Sequence, residues 1–456
     1  MVNGRTLRIE LRRSIAPWAG GLFLVAALAF LYLLGGPWWN GTKLWTAQWT
    51  SAAQWERYLL TFLWPLVVGA GALQGLRDRR SGVSELFATT PRPAWHRAAR
   101  TAGALALLLA AAYLLLFLVG GVQVVAAGGY FHLSWLPIPV VGVLALVAGA
   151  WLGMGVGRAL PSVLTPPALA AAALMALVFL DGEAAMDGGT PDRITLLSPA
   201  LTGVRDVSLV IAGRVNLGQG VWLAGLAATG FLLLVAAGAR ARLLALLPAV
   251  LGVAVALPLL PPDREQTYVV NEAAAVPVCA GQVCVMQIHE PRLAVLAGPA
   301  REALRLLGKL PDPPASVRET TRMWQPDETS PQRAGVVFVD FDDPAISGAT
   351  GEELTRSLVA GAGTPLCFSG DREAVDGFAR LQAARTVAAA WLIGDLKPLR
   401  DTYSPDGEVE AMAGSAWRAL RAAPAGEQRA RVAAMRKAAL SCDGDLLDVL
   451  TGGGSR

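Results

Sequence analysis

The sequence predicts an α-helical polytopic membrane bundle of six to seven spans followed by a small α+β domain outside the membrane, and two observations decide it. Hydrophobic residues make up 54% of the 456 positions and charged residues only 16%, a balance found in membrane chains and not in soluble globules. The apolar residues also crowd into the stretch before Leu260, whereas most carboxylates fall after it. The chain therefore divides into a membrane domain, residues 17–260, and a water-soluble domain, residues 263–456. The net charge of +4 is small for this length, and no basic run interleaved with aromatics suits nucleic acid. Lysine occurs only at 43, 309, 397 and 437 while Arg and Ala abound, the codon usage of a GC-rich bacterial genome.

Residues 1–16 carry Arg5, Arg8, Arg12 and Arg13 opposite Leu7, Leu11 and Ile15, which predicts a basic amphipathic elbow on the inner membrane surface. The run 17–34 contains a cleavage-like Ala27-Leu28-Ala29, but its length exceeds a signal core and matches a bilayer, so it is a retained first span. Residues 36–57 hold Trp38, Trp39, Trp45, Trp49 and Trp55, the density of an aromatic belt at the outer interface. The second span is expected over 58–74 and the third over 101–127, joined by a charged stretch. An outer loop follows with a lone, exposed His132, then a fourth span over 136–156 whose Gly149, Gly153, Gly155 and Gly157 allow close helix approach. A fifth span covers 166–181. The acidic interruption from Asp181 through Glu183, Asp187 and Asp192 suits the outer side, and residues 194–211 have room for a short helix resting on the membrane, which the sequence does not place further. Spans over 221–238 and 243–260 complete seven.

Arginine placement sets the orientation. Arg77, Arg79, Arg80, Arg92, Arg97, Arg100, Arg158, Arg240 and Arg242 join the N-terminal four on one side, against Lys43, Arg57, Arg193, Arg205 and Arg214 on the other. The richer side is cytosolic, so the N-terminus lies inside and the C-terminal domain is extracytoplasmic. No span is expected to carry Lys, Arg, Asp or Glu in its middle, which argues against an ion-coupled carrier.

The charged stretch 76–100 organises this half. Ser81 caps a short helix, Glu85 lies near its positive end, Leu86 and Phe87 give it an apolar face, and Pro91 closes it. Asp78-Arg79-Arg80-Ser81-Gly82-Val83-Ser84-Glu85-Leu86-Phe87-Ala88-Thr89-Thr90-Pro91 resembles the loop between the second and third spans of type 2 ABC transporter permeases. Val83 stands where that family usually has Thr. The resemblance implies a coupling helix in which Asp78, Arg79, Arg80, Gly82, Glu85, Leu86, Phe87 and Pro91 engage a separate ATPase. It also implies an exporter subunit acting as a homodimer or heterodimer of permeases. On residues alone the alternative is a positive-inside loop that sets topology and touches lipid headgroups.

The C-terminal domain offers strands over 266–271, 276–288 and 335–341. Helices are expected over 291–307, 351–358, 372–393, 408–421 and 426–439, with Trp391, Leu392 and Trp417 in the core. All four cysteines lie here, and an even set in an exported domain suits disulfides, paired as Cys279 with Cys284 and Cys367 with Cys442. Zinc fits less well, because Cys-x4-Cys is loose and His289 is the one histidine of the domain. His289-Glu290 lacks the second histidine of HExxH, with Leu293 in its place and Pro291 obstructing the helix. Asp340, Asp342 and Asp343 read as a solvated turn, with a Ca²⁺ or Mg²⁺ site as the rival. The domain faintly resembles exported domains of actinobacterial permease-like proteins.

No catalytic constellation and no GxxxxGK[ST] loop occurs, so the chain is expected not to be an enzyme and to carry no cofactor itself. ATP and Mg²⁺ belong to the partner ATPase that the resemblance implies; lipid is the other partner and nucleic acid is none. The rival function is a non-transporting anchor that presents an extracytoplasmic sensor, receptor or assembly domain.

Overall fold

A computed structural model describes residues 16–36, 38, 44–80, 94–186, 193–201, 208–262, 266–320, 333–341, 343–366, 374–400 and 407–453. Two compact units result, residues 1–271 and 272–456. The predicted elbow, most of the coupling loop and Cys367 lie outside the described residues.

The first unit is built from α1 (Ala16–Leu33), α2 (Trp49–Arg80), α3 (Ala94–Ala126), α4 (Pro137–Ala159), α5 (Thr165–Met186), α6 (Gly213–Val235), α7 (Ala239–Leu244) and α8 (Leu247–Leu259). Six described helical stretches are long and apolar enough to cross a membrane, α7 and α8 together forming the sixth. Within α5 the apolar stretch Thr165–Leu180 is shorter than those six. The helices fit a membrane bundle, since a helix satisfies its own backbone where water is absent.

Glycine sets how closely α2 and α4 pack. A Cβ on Gly153 would lie 2.1 Å from Val68 O, one on Gly75 2.2 Å from Met154 O, and one on Gly71 2.3 Å from Ala150 O. Both backbones thus approach at distances that any side chain would forbid. Gly155 meets α6 in the same way, its added Cβ falling 2.4 Å from Gly230 O. The glycine-rich run of α4 therefore does what its composition predicts.

The tryptophans depart from expectation. Trp38, Trp45 and Trp55 are buried in the apolar core of this unit instead of lining an interface. Gly120 and Gly121 of α3 make the room, for Cβ atoms there would meet the rings of Trp45 and Trp49 at 2.4 and 2.9 Å. Trp49 stacks on Trp135 at 5.3 Å between centroids, and Trp38 meets Trp55 edge-on at 5.7 Å. Aromatic pairs of this kind add about 1 kcal/mol each beyond their buried area. Among the described residues of the segment 194–211, Thr195–Leu197 form a buried 3-10 turn and Leu209–Ile211 form the strand β1. β1 pairs antiparallel with β2 (Tyr268–Val270), so the first strand expected in the C-terminal domain belongs to the bundle unit.

The second unit carries the sheet β3 (Pro277–Ala280), β4 (Val283–Met286), β5 (Ser316–Glu319) and β6 (Val336–Val339), in that spatial order. β3 and β4 form an antiparallel hairpin, while β4, β5 and β6 run parallel. α9 (Leu293–Leu307) makes the crossover that a parallel β4–β5 pair requires. The remaining helices are α10 (Pro344–Ser347), α11 (Gly351–Val359), α12 (Ala374–Ile393), α13 (Glu408–Ala422), α14 (Ala425–Ser441) and α15 (Leu446–Thr451). One apolar core joins strands and helices, with Leu392 fully buried and Trp391 and Trp417 packed against it partly exposed.

Candidate functional site

One face of α2 carries Thr50, Gln54, Arg57, Thr61 and Trp64, then Val68, Gly71 and Gly75, spaced alternately by four and three residues. That spacing lines up one stripe along a helix. The lower half is the glycine seam with α4. The upper half is polar, and its centre is Arg57.

Arg57 is 0% exposed. Its Nε donates to Pro199 O at 3.0 Å, Nη1 to Ile138 O at 3.2 Å and Nη2 to Gln219 Oε1 at 3.1 Å. Gln219 of α6 in turn donates through Nε2 to Leu196 O at 3.0 Å and Ser198 O at 3.3 Å. The guanidinium thereby ties α2 to α4, α6 and the buried 3-10 turn, and irregular backbone at this depth is stable because the protein satisfies it. Gln54 donates to Leu209 O at 3.3 Å and Trp64 to Ala145 O at 2.8 Å, extending the network along the seam.

The sequence reading places Arg57 in an outer loop and no charge inside any span. The first expectation is corrected: the second helix begins at Trp49, not near Tyr58, and carries Glu56 and Arg57 about 12 Å from its first residue at 1.5 Å per residue. Glu56 is 1% exposed, and neither of its carboxylate oxygens accepts a hydrogen bond from a described residue. It lies off the polar stripe, with Ala52, Ala53, Leu59 and Leu60 as its buried apolar neighbours on α2. The hydroxyl of Tyr113 on α3 is also buried and unpartnered, and it lies beside the side chain of Arg57. Gly142 admits both groups, since a Cβ there would lie 2.4 Å from Tyr113 Oη and 3.0 Å from Arg57 Cδ.

His132 is corrected in the same sense. Instead of an exposed loop residue it is buried, with Nε2 3.1 Å from Thr50 Oγ1 and Nδ1 3.2 Å from Asn271 Nδ2. The amide nitrogen is a donor only, so Nδ1 accepts and Nε2–H donates to the threonine, which fixes a neutral tautomer. Burial pushes its pKa below the ordinary 6.5. Asn271 N also donates to Ser208 O at 2.8 Å, so the strand pair β1–β2 and the histidine hold the same residue.

Of the residues assigned to coupling, Asp78, Arg79 and Arg80 form the last turn of α2. Gly82, Glu85, Leu86, Phe87 and Pro91 lie outside the described residues, and α3 starts at Ala94. The stretch therefore joins two long apolar helices at the end of the bundle away from Trp49, His132 and the β1–β2 pair.

In the second unit, Cys279 and Cys284 are paired in register across the β3–β4 hairpin and form a disulfide. Cys442 ends α14 in a left-handed conformation at φ 50°, and no described cysteine is a free thiol. His289 pairs with Glu319 and not with its neighbour Glu290: Nδ1 lies 2.5 Å from Glu319 Oε1, and Glu319 Oε2 accepts from Met286 N at 2.6 Å. This pair sits where β4 and β5 end. Asp343 caps α10 by accepting from Ala345 N at 2.9 Å, while Asp342 is outside the described residues. Among the described residues no three metal-ligating side chains gather.

No family model, no curated protein and no solved structure matches this chain. The site's chemistry therefore rests on its own residues.

Proposed function

We propose that this chain is the membrane subunit of an ATP-driven ABC exporter, working as a dimer of permeases with a separate ATPase. The observation that carries the proposal is the position of the Asp78–Pro91 motif. It begins on the last turn of α2 and ends just before α3, at the joint where the resembled permeases place their coupling helix. In this reading Arg79, Arg80, Glu85, Leu86 and Phe87 engage the motor, and ATP-driven closure of the motor pair rocks the helices. α5 is the extra span that gives seven and carries the tail across. The motif end of the bundle is cytosolic, for it holds Arg77, Arg97, Arg100, Arg158, Arg240 and Arg242, and the removal of Arg57 from the opposite end sharpens that asymmetry. Residues 272–456 are then extracytoplasmic, which agrees with the Cys279–Cys284 disulfide.

The test is a mild-detergent pull-down of tagged protein from its host, repeated with Glu85→Arg. Recovery of a phosphate-loop ATPase that the variant loses is expected. A Glu85→Arg bait that retains the ATPase overturns the docking assignment, and absence of any ATPase under conditions that keep other membrane complexes intact favours the anchor.

A further inference from the structure

Among the described residues Glu56 is the one buried carboxylate of the bundle, and neither of its oxygens has a hydrogen-bond partner. Arg57 donates to acceptors from three other segments, and none of those bonds involves Glu56. Among the described residues these two are the only carboxylate and guanidinium buried in this unit. A buried carboxylate without a hydrogen-bond donor is costly in a protein and costlier in a bilayer, and intramembrane acids mark binding sites and pathways. One turn before Glu56, α2 carries the small side chains of Ala52 and Ala53. Tyr113, whose hydroxyl meets the close approach at Gly142 together with the side chain of Arg57, the residue next to Glu56, adds a second unpartnered polar atom, able to accept as well as donate.

We propose that Glu56 is the recognition group for a ligand bearing a primary ammonium, bound inside the helical bundle with Tyr113 as its second polar contact. An ammonium supplies three N–H donors and a positive charge, the complement of two empty carboxylate oxygens and a hydroxyl. A neutral amide or alcohol offers donors without the charge, and an anion offers neither. This inference rests on the exporter reading only in calling the ligand cargo: the class of molecule translocated then carries an amine.

The experiment uses full-length protein in lipid nanodiscs and monodansylcadaverine, a fluorophore with a terminal primary ammonium, against its N-acetylated, uncharged form. Fluorescence above that of empty nanodiscs reads binding. Wild type is expected to bind the amine and discriminate against the acetylated probe. Glu56→Gln is expected to bind the amine about thirtyfold or more weakly, the effect of truncating one partner of a buried charge pair, while Glu56→Asp retains binding. Equal binding of the two probes by wild type overturns the proposal without recourse to any variant, as does unchanged amine binding by Glu56→Gln. Because the assay contains no ATPase, Glu56-dependent binding alongside a failed ATPase pull-down sinks the exporter and leaves the site. An intact pull-down without amine binding sinks the site alone.

Discussion

His132 shows how much a single side chain can hold. Its ring accepts from Asn271 and donates to Thr50, so a second proton would set the Nδ1 donor against the amide donor. The other titratable neighbour, Tyr130, stacks on the ring at 6.0 Å and supplies no charge to offset that proton. Burial lowers the folded pKa, so the unfolded chain binds more protons around pH 6.5 and stability rises with pH. The contribution is complete above 6.5 and is lost as pH falls through and below it. Melting temperature should therefore drop between pH of about 7.5 and about 5.5, and His132→Asn should remove that part of the dependence. A wild-type profile identical to that of the variant would show that the ring is not held this way. None of this was legible from a lone histidine in a loop, because its partners are 82 and 139 residues away. The Arg57 site was nearer to view: Thr50, Gln54, Arg57 and Thr61 form a 4-3-4 stripe, hidden only because the tryptophans before Tyr58 read as an interface.

Among the elements, α2 is two helices in one. Its first half binds through polar side chains and its second through bare backbone, with α4 facing both. Gly153→Ala would place a carbon 2.1 Å from Val68 O, a clash with backbone that no rotamer relieves. Overpacking of this kind costs about 1–3 kcal/mol, so the variant should melt lower and yield less monodisperse protein in detergent. Gly103→Ala on α3, where nothing lies within 4 Å, should behave as wild type. Equal stability of the two variants would mean that the seam is looser than described. The apolar runs announced their helices well, as did the glycine spacing of α4. What escaped was β5, whose Ser-Val-Arg-Glu has a single apolar residue yet lies between two parallel strands. A four-residue strand draws its stability from neighbours, which no local pattern reveals.

At the scale of the molecule, composition was enough to separate an apolar helical half from a half of mixed strands and helices. It could not place their border, since residues 268–270 look like any short strand until β1 is found opposite them. The orientation proposed above is tested with tags at each terminus in spheroplasts. The C-terminal tag should be labelled from outside in intact cells and the N-terminal tag only after permeabilisation; the reverse pattern overturns it. The border also governs how the tail can be dissected. A deletion made at Pro262, where the apolar sequence stops, would strip β1 of its partner and His132 of Asn271. Such a truncation would injure the bundle and charge the damage to the missing domain. Cutting after Asn271 keeps β1 paired with β2 and His132 bonded to Asn271, and only then does the loss of a phenotype speak for the tail.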